Sequence, residues 1–131
     1  MVQYIGKLDK NKLGKYRNKI ITEDVIITEE RIEHIKEHHP KDYEGFGKYM
    51  KVIVECPDYV LEDNKNKDTL LFLKEIKEKN INVQIVVRLN TNKKEKDKLN
   101  SILTFWKIKN STYKQLIRNK RNIWNSIDKS E

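Results

Sequence analysis

The sequence is poor in the residues that mark several classes of protein. Its single cysteine, Cys56, cannot close an internal disulfide, which excludes a disulfide-stabilised secreted scaffold. Beside Pro57, that cysteine is predicted to be a small core residue. No apolar run approaches the ~20 residues of a transmembrane helix, and the N-terminal residues lack the apolar stretch of a secretory signal. These absences favour a cytoplasmic protein with no membrane partner.

Glycine is also scarce, and all four glycines lie before residue 48. None of them forms the glycine-rich loop that cradles the phosphates of a nucleotide cofactor. We therefore predict no cofactor and no small-molecule ligand. The chain also lacks a linker rich in proline, glycine or serine, so a single domain over residues 1–131 is expected.

Basic side chains, by contrast, are abundant and unevenly placed. The 28 lysines and arginines outnumber the 20 acidic residues, for a net charge of +8. Residues 91–131 alone carry eleven basic and four acidic side chains, a net charge of +7. A nucleic acid would be attracted to such a surface by Coulomb forces and counterion release. A lysine-rich surface that serves only solubility is the alternative.

The apolar periodicity predicts an α+β fold in which helices precede an antiparallel sheet. Residues 1–27 are expected to be extended or to form a hairpin, and residues 28–56 to be helical. Thr28 is predicted to cap the first helix, because its hydroxyl can accept a hydrogen bond from a first-turn amide. That helix should end near His39, and a second helix should span Tyr43–Glu55.

Residues 58–108 show the short alternating patterns of strands, and a basic C-terminal segment covers 109–131. Within 81–89, one face is wholly apolar and the other carries Asn82, Gln84, Val86 and Arg88. A helix is predicted from about Ser111. Aromatic residues such as Trp106 and Trp124 are expected in the core, with stacking on nucleic-acid bases as the alternative. The predicted strands are 59–61, 69–76, 81–89 and 101–108.

The densest polar feature is the run from His34 to His39 (HIKEHH). Its first five residues satisfy H-x-x-E-H, a pattern of zinc peptidases in which two histidines one helical turn apart bind the metal. A catalytic zinc site needs a third protein ligand, and no later helix offers a convincing one, so no metal is predicted. Two other hypotheses remain: ordinary hydrogen-bonded histidines on a helix face, and a general acid or base.

RNA can be cleaved without a metal, because its own 2′-hydroxyl is the nucleophile. The protein then supplies groups for proton transfer and cations for the phosphate, and a hydroxyl can orient it. The sequence offers His34 and His38 for proton transfer and Thr104 as a hydroxyl on a late strand. The spacing of Lys114, Arg118 and Arg121 predicts that they share one helix face. The candidate cations are Arg88, Lys107, Lys114, Arg118 and Arg121.

Four passages carry a resemblance to a known family: IITEDVIIT (20–28), ERIEHI (30–35), ECPDYV (55–60) and SILTF (101–105). Together they resemble the barnase–EndoU–colicin–RelE-like nuclease domains of phage and prophage genomes, along almost the whole chain from Tyr4 to Trp124. The resemblance implies an α+β fold with N-terminal helices packed on a curved antiparallel sheet, and a metal-independent ribonuclease activity.

The same resemblance implies roles for individual residues. His34 matches the family's helical histidine, Arg88 a basic residue on a strand, and Thr104 the hydroxyl residue of the late strand. Arg118 and Arg121 fall in the basic C-terminal segment, whereas His38 and His39 inherit no role.

The resulting prediction is a phage-encoded, toxin-like endoribonuclease that acts on tRNA or mRNA in the host cytoplasm by 2′-hydroxyl transesterification. His34 is the predicted acid or base, Arg88 with Arg118 or Arg121 the phosphate-stabilising cations, and Thr104 an orienting group. A cognate inhibitor protein is a second candidate partner. The main rival is a non-enzymatic basic accessory protein that binds nucleic acid or a virion component. A zinc peptidase ranks third.

Overall fold

The computed structural model describes residues 2–126, which fold around a seven-stranded mixed sheet with helices on both faces, an α+β architecture. The strand order across the sheet is β1-β2-β6-β5-β4-β3-β7. The strands are β1 (Val2–Lys7), β2 (Asp24–Thr28), β3 (Tyr59–Glu62), β4 (Thr69–Ile76), β5 (Ile81–Arg88), β6 (Asn100–Ile108) and β7 (Asn122–Asn125). The helices are α1 (Glu29–His38), α2 (Pro40–Phe46), α3 (Met50–Glu55) and α4 (Asn110–Asn119). Within 2–126, none of these helices combines the length and apolarity needed to cross a bilayer.

The main core lies on one face of the sheet, here called the first face. It contains Ile35 of α1 and Ile53 of α3, both fully buried. Strand β5 contributes alternate residues, including Val83 and Ile85, as the sequence pattern predicts. Strand β6 contributes Phe105. Because successive strand residues point to opposite faces, the intervening residues of β5 must lie on the other face.

That second face is covered only in part. Tyr113, Leu116 and Ile117 of α4 pack over a smaller apolar cluster of four strand residues. Val86 and Trp106 lie beside this cluster and are half-buried. The clustered strand residues are Leu61, Leu71, Leu73 and Ile108.

The helical region agrees with the sequence at its start and departs from it later. Thr28 Oγ1 accepts a hydrogen bond from the Arg31 amide at 3.2 Å, which confirms the predicted cap. The second predicted helix is wrong, because a 3₁₀ turn at Gly47–Tyr49 separates α2 from α3. Glycine is a poor helix former, and two glycines fall in this stretch. Cys56 was expected in the core, but it is exposed where the chain leaves α3.

The sheet is mixed and not wholly antiparallel, because β2 runs parallel to β6. The fully buried side chain of Asn100 joins the two strands. Its Nδ2 donates to the carbonyls of Thr22 at 2.8 Å and Asp24 at 2.9 Å, and its Oδ1 accepts from the Asn90 amide at 2.9 Å. Period-2 alternation fixes which face a side chain occupies but not which strand lies alongside, so the pattern could not predict this pairing.

Replacing Asn100 with alanine is expected to lower the free energy of unfolding by about 3 kcal/mol, because three part-buried backbone groups lose their partner. Urea denaturation of wild type and variant measures the difference. Asn18→Ala is the matched control; that residue is exposed, and its replacement should stay within about 0.5 kcal/mol of wild type. A loss below about 1 kcal/mol in Asn100→Ala would mean that the junction does not depend on this side chain.

The C-terminal segment returns to the sheet after α4. The Arg121 carbonyl accepts from the Glu62 amide at 2.9 Å, and β7 then pairs with β3. The prediction that Arg121 shares a helix face with Lys114 and Arg118 is therefore wrong, since α4 ends at Asn119. Ile123 and Trp124 pack on the main core, which explains why the helix stops there. Residues 127–131 of the predicted basic segment lie outside the described residues.

Gly14 shows how closely β7 approaches the N-terminal region. Its φ of +53° is a left-handed conformation that side chains rarely adopt. A Cβ at this position would also lie 2.8 Å from Cγ2 of Ile123. Glycine is therefore the residue that fits under the final strand.

Candidate functional site

A row of polar side chains runs along the uncovered part of the second face. Arg88 pairs across strands with Ser101, and Gln84 pairs with Trp106. Thr104 lies between them, opposite Val86. Cross-strand partners share a face of the sheet, so these residues form one surface, here called the polar strip. The polar strip consists of Gln84, Arg88, Ser101, Thr104 and Trp106.

A β-bulge gives Thr104 its direction. The pairing register of β6 shifts by one residue between Val86 and Val87 of β5. Strict alternation from the buried Ile102 would turn Thr104 towards the main core. The extra residue, Leu103, reverses the alternation and sends Thr104 to the same face as Arg88. The structure thus brings two of the predicted site residues together by a feature that the sequence pattern does not reveal.

The polar strip is accessible to a ligand. Arg88 is exposed, and Ser101, Thr104 and Trp106 are half-buried. Gln84 is only 7% exposed, yet none of the hydrogen bonds recorded within 2–126 uses its side-chain amide. The strip therefore combines a cation, hydroxyls and an amide, the groups that bind a phosphodiester and a base edge.

The C-terminal end of α1 reaches this strip through His39. The imidazole of His39 stacks on the indole of Trp106, with ring centroids 5.7 Å apart and an interplanar angle of 12°. Asp42 Oδ2 lies 3.9 Å from His39 Nδ1 and accepts a hydrogen bond from the Lys107 amide at 3.1 Å. A half-buried histidine therefore lies between a carboxylate and the strip.

His34 and His38 lie on a neighbouring flank of α1. Both are exposed, and their ring centroids are 4.4 Å apart, as expected for residues one helical turn apart. The opposite flank carries Lys36, whose ammonium lies over the Tyr43 ring. Five residues correspond to about 140° around a helix, so His34 lies on a different flank of α1 from His39, whose ring contacts Trp106.

Other predicted residues are not joined to the strip. Among residues 2–126, no recorded hydrogen bond, ion pair or ring contact links His34 or Arg118 to Arg88 or Thr104. Lys114 and Arg118 are exposed on α4, one turn apart. The side chain of Lys107 points to the first face, because its cross-strand partner is the buried Val83.

Arg121 belongs to a separate charged group at the end of β3. Glu62 Oε2 contacts the Lys15 ammonium at 2.9 Å and the Tyr16 hydroxyl at 2.7 Å. The hydrogen bond from Lys15, together with that from Tyr16 and the charge of Arg121, lowers the pKa of the Glu62 carboxyl. Burial and the hydrogen bond to Glu62 raise the pKa of Tyr16 to about 12. Arg121 therefore helps to keep Glu62 ionised and lies apart from the strip.

A cavity of about 340 Å³ adjoins the Arg88 end of the polar strip. Its wall includes Ser101 and Lys98, and Asp68, whose carboxylate accepts from the Thr91 hydroxyl at 2.8 Å. A second cavity of about 500 Å³ lies at the opposite end of the sheet, lined by Asn82, Asn110, Lys107 and Lys109 among others. At its Arg88 end the strip thus opens onto a polar concavity that contains lysine.

The sequence assigned no role to His39 or Asp42, and for Trp106 it offered base stacking only as the alternative to core packing. The signal for the first pair was local, since Asp42 follows His39 by three residues within a helical stretch. The face of the sheet on which Trp106 lies depends on the bulge, and no local sequence pattern predicts that bulge. Of the three histidines, His39 has the position most restricted by its neighbours, although the sequence suggested no role for it.

The helical pair of the H-x-x-E-H motif does not assemble a metal centre within the described residues. Between residues 2 and 126, no group of three or more histidine, cysteine or acidic side chains is arranged to hold a metal ion. Two histidines alone are too few for a catalytic zinc site. We expect purified protein to contain no stoichiometric zinc after dialysis, as measured by atomic emission. Retained zinc that is lost in a His34→Ala, His38→Ala double variant would contradict this prediction.

The comparisons with known proteins agree with the resemblance seen in the sequence. A family model described as phage-Barnase-EndoU-ColicinE5/D-RelE like nuclease 2 matches residues 3–125. No curated protein and no solved structure matches the chain. The match extends from β1 to the last residue of β7, so it includes the polar strip and every histidine. The chain therefore belongs to this family of phage nuclease-like domains.

Proposed function

We propose that this domain is a metal-independent endoribonuclease that cleaves RNA at the polar strip by transesterification through the 2′-hydroxyl. The observation that carries the proposal is the convergence of Arg88 and Thr104 on one open sheet face that the histidine-bearing end of α1 adjoins. Family membership supports nuclease chemistry. The net charge of +8 supports a polyanionic substrate.

Each residue has a distinct role in the proposed reaction. The neutral imidazole of His34 removes the proton from the 2′-hydroxyl, and the oxygen then attacks the adjacent phosphorus. Arg88 neutralises charge that develops on the phosphoryl oxygens, and Thr104 orients the phosphate by a hydrogen bond. The bond from phosphorus to the 5′ oxygen breaks, and that oxygen gains a proton. The products are a 2′,3′-cyclic phosphate and a 5′-hydroxyl.

The remaining basic residues are proposed to bind flanking phosphates. Lys114 and Arg118 on α4, with Arg121 and Lys107, are outside the strip and suit contacts that hold the strand without touching the reacting bond. The substrate would be tRNA or mRNA in the host cytoplasm, and a cognate inhibitor protein would cover the same face.

A substrate with one deoxynucleotide tests the chemistry and separates the enzyme from an accessory binder. Once wild type has cut a structured RNA at a mapped site, the same RNA is synthesised with a 2′-deoxy sugar 5′ to the cut. Loss of cleavage at that site alone is expected, because the nucleophile is missing, while affinity stays unchanged. Continued cleavage of the deoxy substrate would refute the mechanism. Binding of all RNAs with no cleavage would favour the accessory protein.

The affinity for RNA should fall steeply as the salt concentration rises, because each lysine or arginine contact releases condensed cations. For single strands the log–log slope changes by roughly 0.7 per contact. The double variant Arg118→Gln, Arg121→Gln should therefore have a slope that is less steep by about 1.4, as measured by fluorescence anisotropy. Lys77→Gln, Lys79→Gln is the matched control, since both lysines are exposed in a turn. An unchanged slope in the arginine variant would locate the RNA surface elsewhere, for instance on the loop with Lys93–Lys98.

A further inference from the structure

The transesterification needs a second proton-transfer group, because the departing 5′ oxygen must be protonated as its bond to phosphorus breaks. Resting on the proposed function, we propose that His39 is this general acid and that Asp42 is its positioning residue. His39 is the histidine that the structure holds in place. It is stacked on Trp106 and adjoins the carboxylate of Asp42 through its Nδ1 atom.

The orientation of the ring identifies the atom that donates. Nδ1 faces Asp42, so the proton carried by Nε2 is the one available to a substrate. The Asp42 carboxylate lies 3.9 Å from Nδ1, an ion-pair distance, so it attracts the protonated imidazole and favours the ring orientation in which Nδ1 faces it. Asp42 is itself held by the backbone amide of Lys107, so a helix and a strand together position the donor.

The two histidines lie on different flanks of α1. His34 is within the helix and His39 is the residue that follows its last turn, and five residues correspond to about 140° around the helix axis. Attacking and leaving oxygens lie on opposite sides of the phosphorus, so the base and the acid must act from two sides. Trp106 lies two residues beyond Thr104 on the same face, or about 7 Å along the strand, which puts the acid within one nucleotide of the orienting hydroxyl.

The step balances without any additional reactant. The 2′ oxygen forms a bond to phosphorus and gives its proton to His34, while the bond between phosphorus and the 5′ oxygen breaks. His39 Nε2 gives its proton to that 5′ oxygen. After the reaction His34 carries an extra proton and His39 has lost one. Proton exchange with water restores both side chains to their starting states.

Sulfur substitution distinguishes a general acid from a structural residue. The substrate is the RNA that wild type cleaves, and a second copy carries sulfur in place of the 5′ bridging oxygen at the cut. A thiolate leaves without protonation, so this substrate does not need the acid. The variant His39→Phe keeps an aromatic ring against Trp106 but cannot transfer a proton, and single-turnover rates are measured on both substrates.

His39→Phe is expected to cleave the oxygen substrate ~10²–10⁴-fold more slowly than wild type and the sulfur substrate within about threefold of it. His34→Ala, which removes the base, should slow both substrates. Asp42→Asn should show a smaller loss with the same rescue by sulfur, because its amide oxygen still accepts from the Lys107 amide. Equal loss on both substrates, or no loss on either, would overturn the assignment to His39. Wild type that cleaves neither substrate would overturn the proposed function and this inference with it.

Discussion

Replacement of His34 by alanine is expected to lower RNA cleavage by ~10²–10⁴-fold, the usual contribution of a positioned acid or base. The side chain is exposed in the middle of α1, and no recorded hydrogen bond within 2–126 uses it. Its removal should therefore leave the melting temperature and the affinity for RNA close to those of wild type. The cleavage rate under single-turnover conditions measures the effect.

Glu37→Ala provides the control for His34→Ala, because Glu37 is an exposed residue three positions along the same helix that the mechanism does not use. It should cleave RNA within a fewfold of wild type. A buried structural histidine would instead cost about 1–3 kcal/mol of stability when removed. If His34→Ala cleaves as fast as wild type, the base is another group, and His38 is the neighbour to replace next.

The second large effect is expected for Arg88→Gln, which should reduce cleavage by ~10²–10³-fold, the range seen when one transition-state donor is removed. Glutamine keeps a polar side chain of similar length but has no positive charge for the phosphoryl oxygens. Because Arg88 is exposed at the end of β5, the fold should tolerate the change. Rates and dissociation constants are measured separately, and the rate should fall more than the affinity.

Arg17→Gln serves as the matched control for Arg88→Gln, since it removes the same charge from an exposed 3₁₀ turn near the N-terminus. It should retain the wild-type rate. If both arginine variants lose rate and affinity in parallel, Arg88 contributes only to the general positive charge of the domain. In that case the polar strip would not be where the phosphate reacts.

Much of the fold follows from local patterns in the sequence. The cap at Thr28, the start and end of α1 and the two faces of β5 depend on neighbouring residues, and the structure confirms them. The parallel pairing of β2 with β6 depends on Asn100, whose partners lie at positions 22, 24 and 90. Contacts between residues so far apart in the chain leave no periodic signal, so the sequence predicted an antiparallel sheet throughout.

The candidate site was predictable in its residue types more than in its geometry. Arg88 could be assigned to the polar face of its strand because alternation holds throughout β5. Thr104 reaches that face only because of the bulge at Leu103. Arg121 lies beyond the end of the basic helix, because the chain there turns back so that Trp124 packs on the main core. The role proposed for His39 depends on its tertiary contact with Trp106, 67 positions later in the chain.

The ends of the RNA fragments test the central claim most directly. Wild-type protein is incubated with end-labelled structured RNAs in the presence of EDTA, and the fragments are analysed by mass spectrometry. Transesterification at the polar strip predicts 2′,3′-cyclic phosphate and 5′-hydroxyl ends, formed at the same rate with and without the chelator, because the attacking group belongs to the substrate. Fragments with 3′-hydroxyl and 5′-phosphate ends, or cleavage that stops when EDTA is added, would contradict the account.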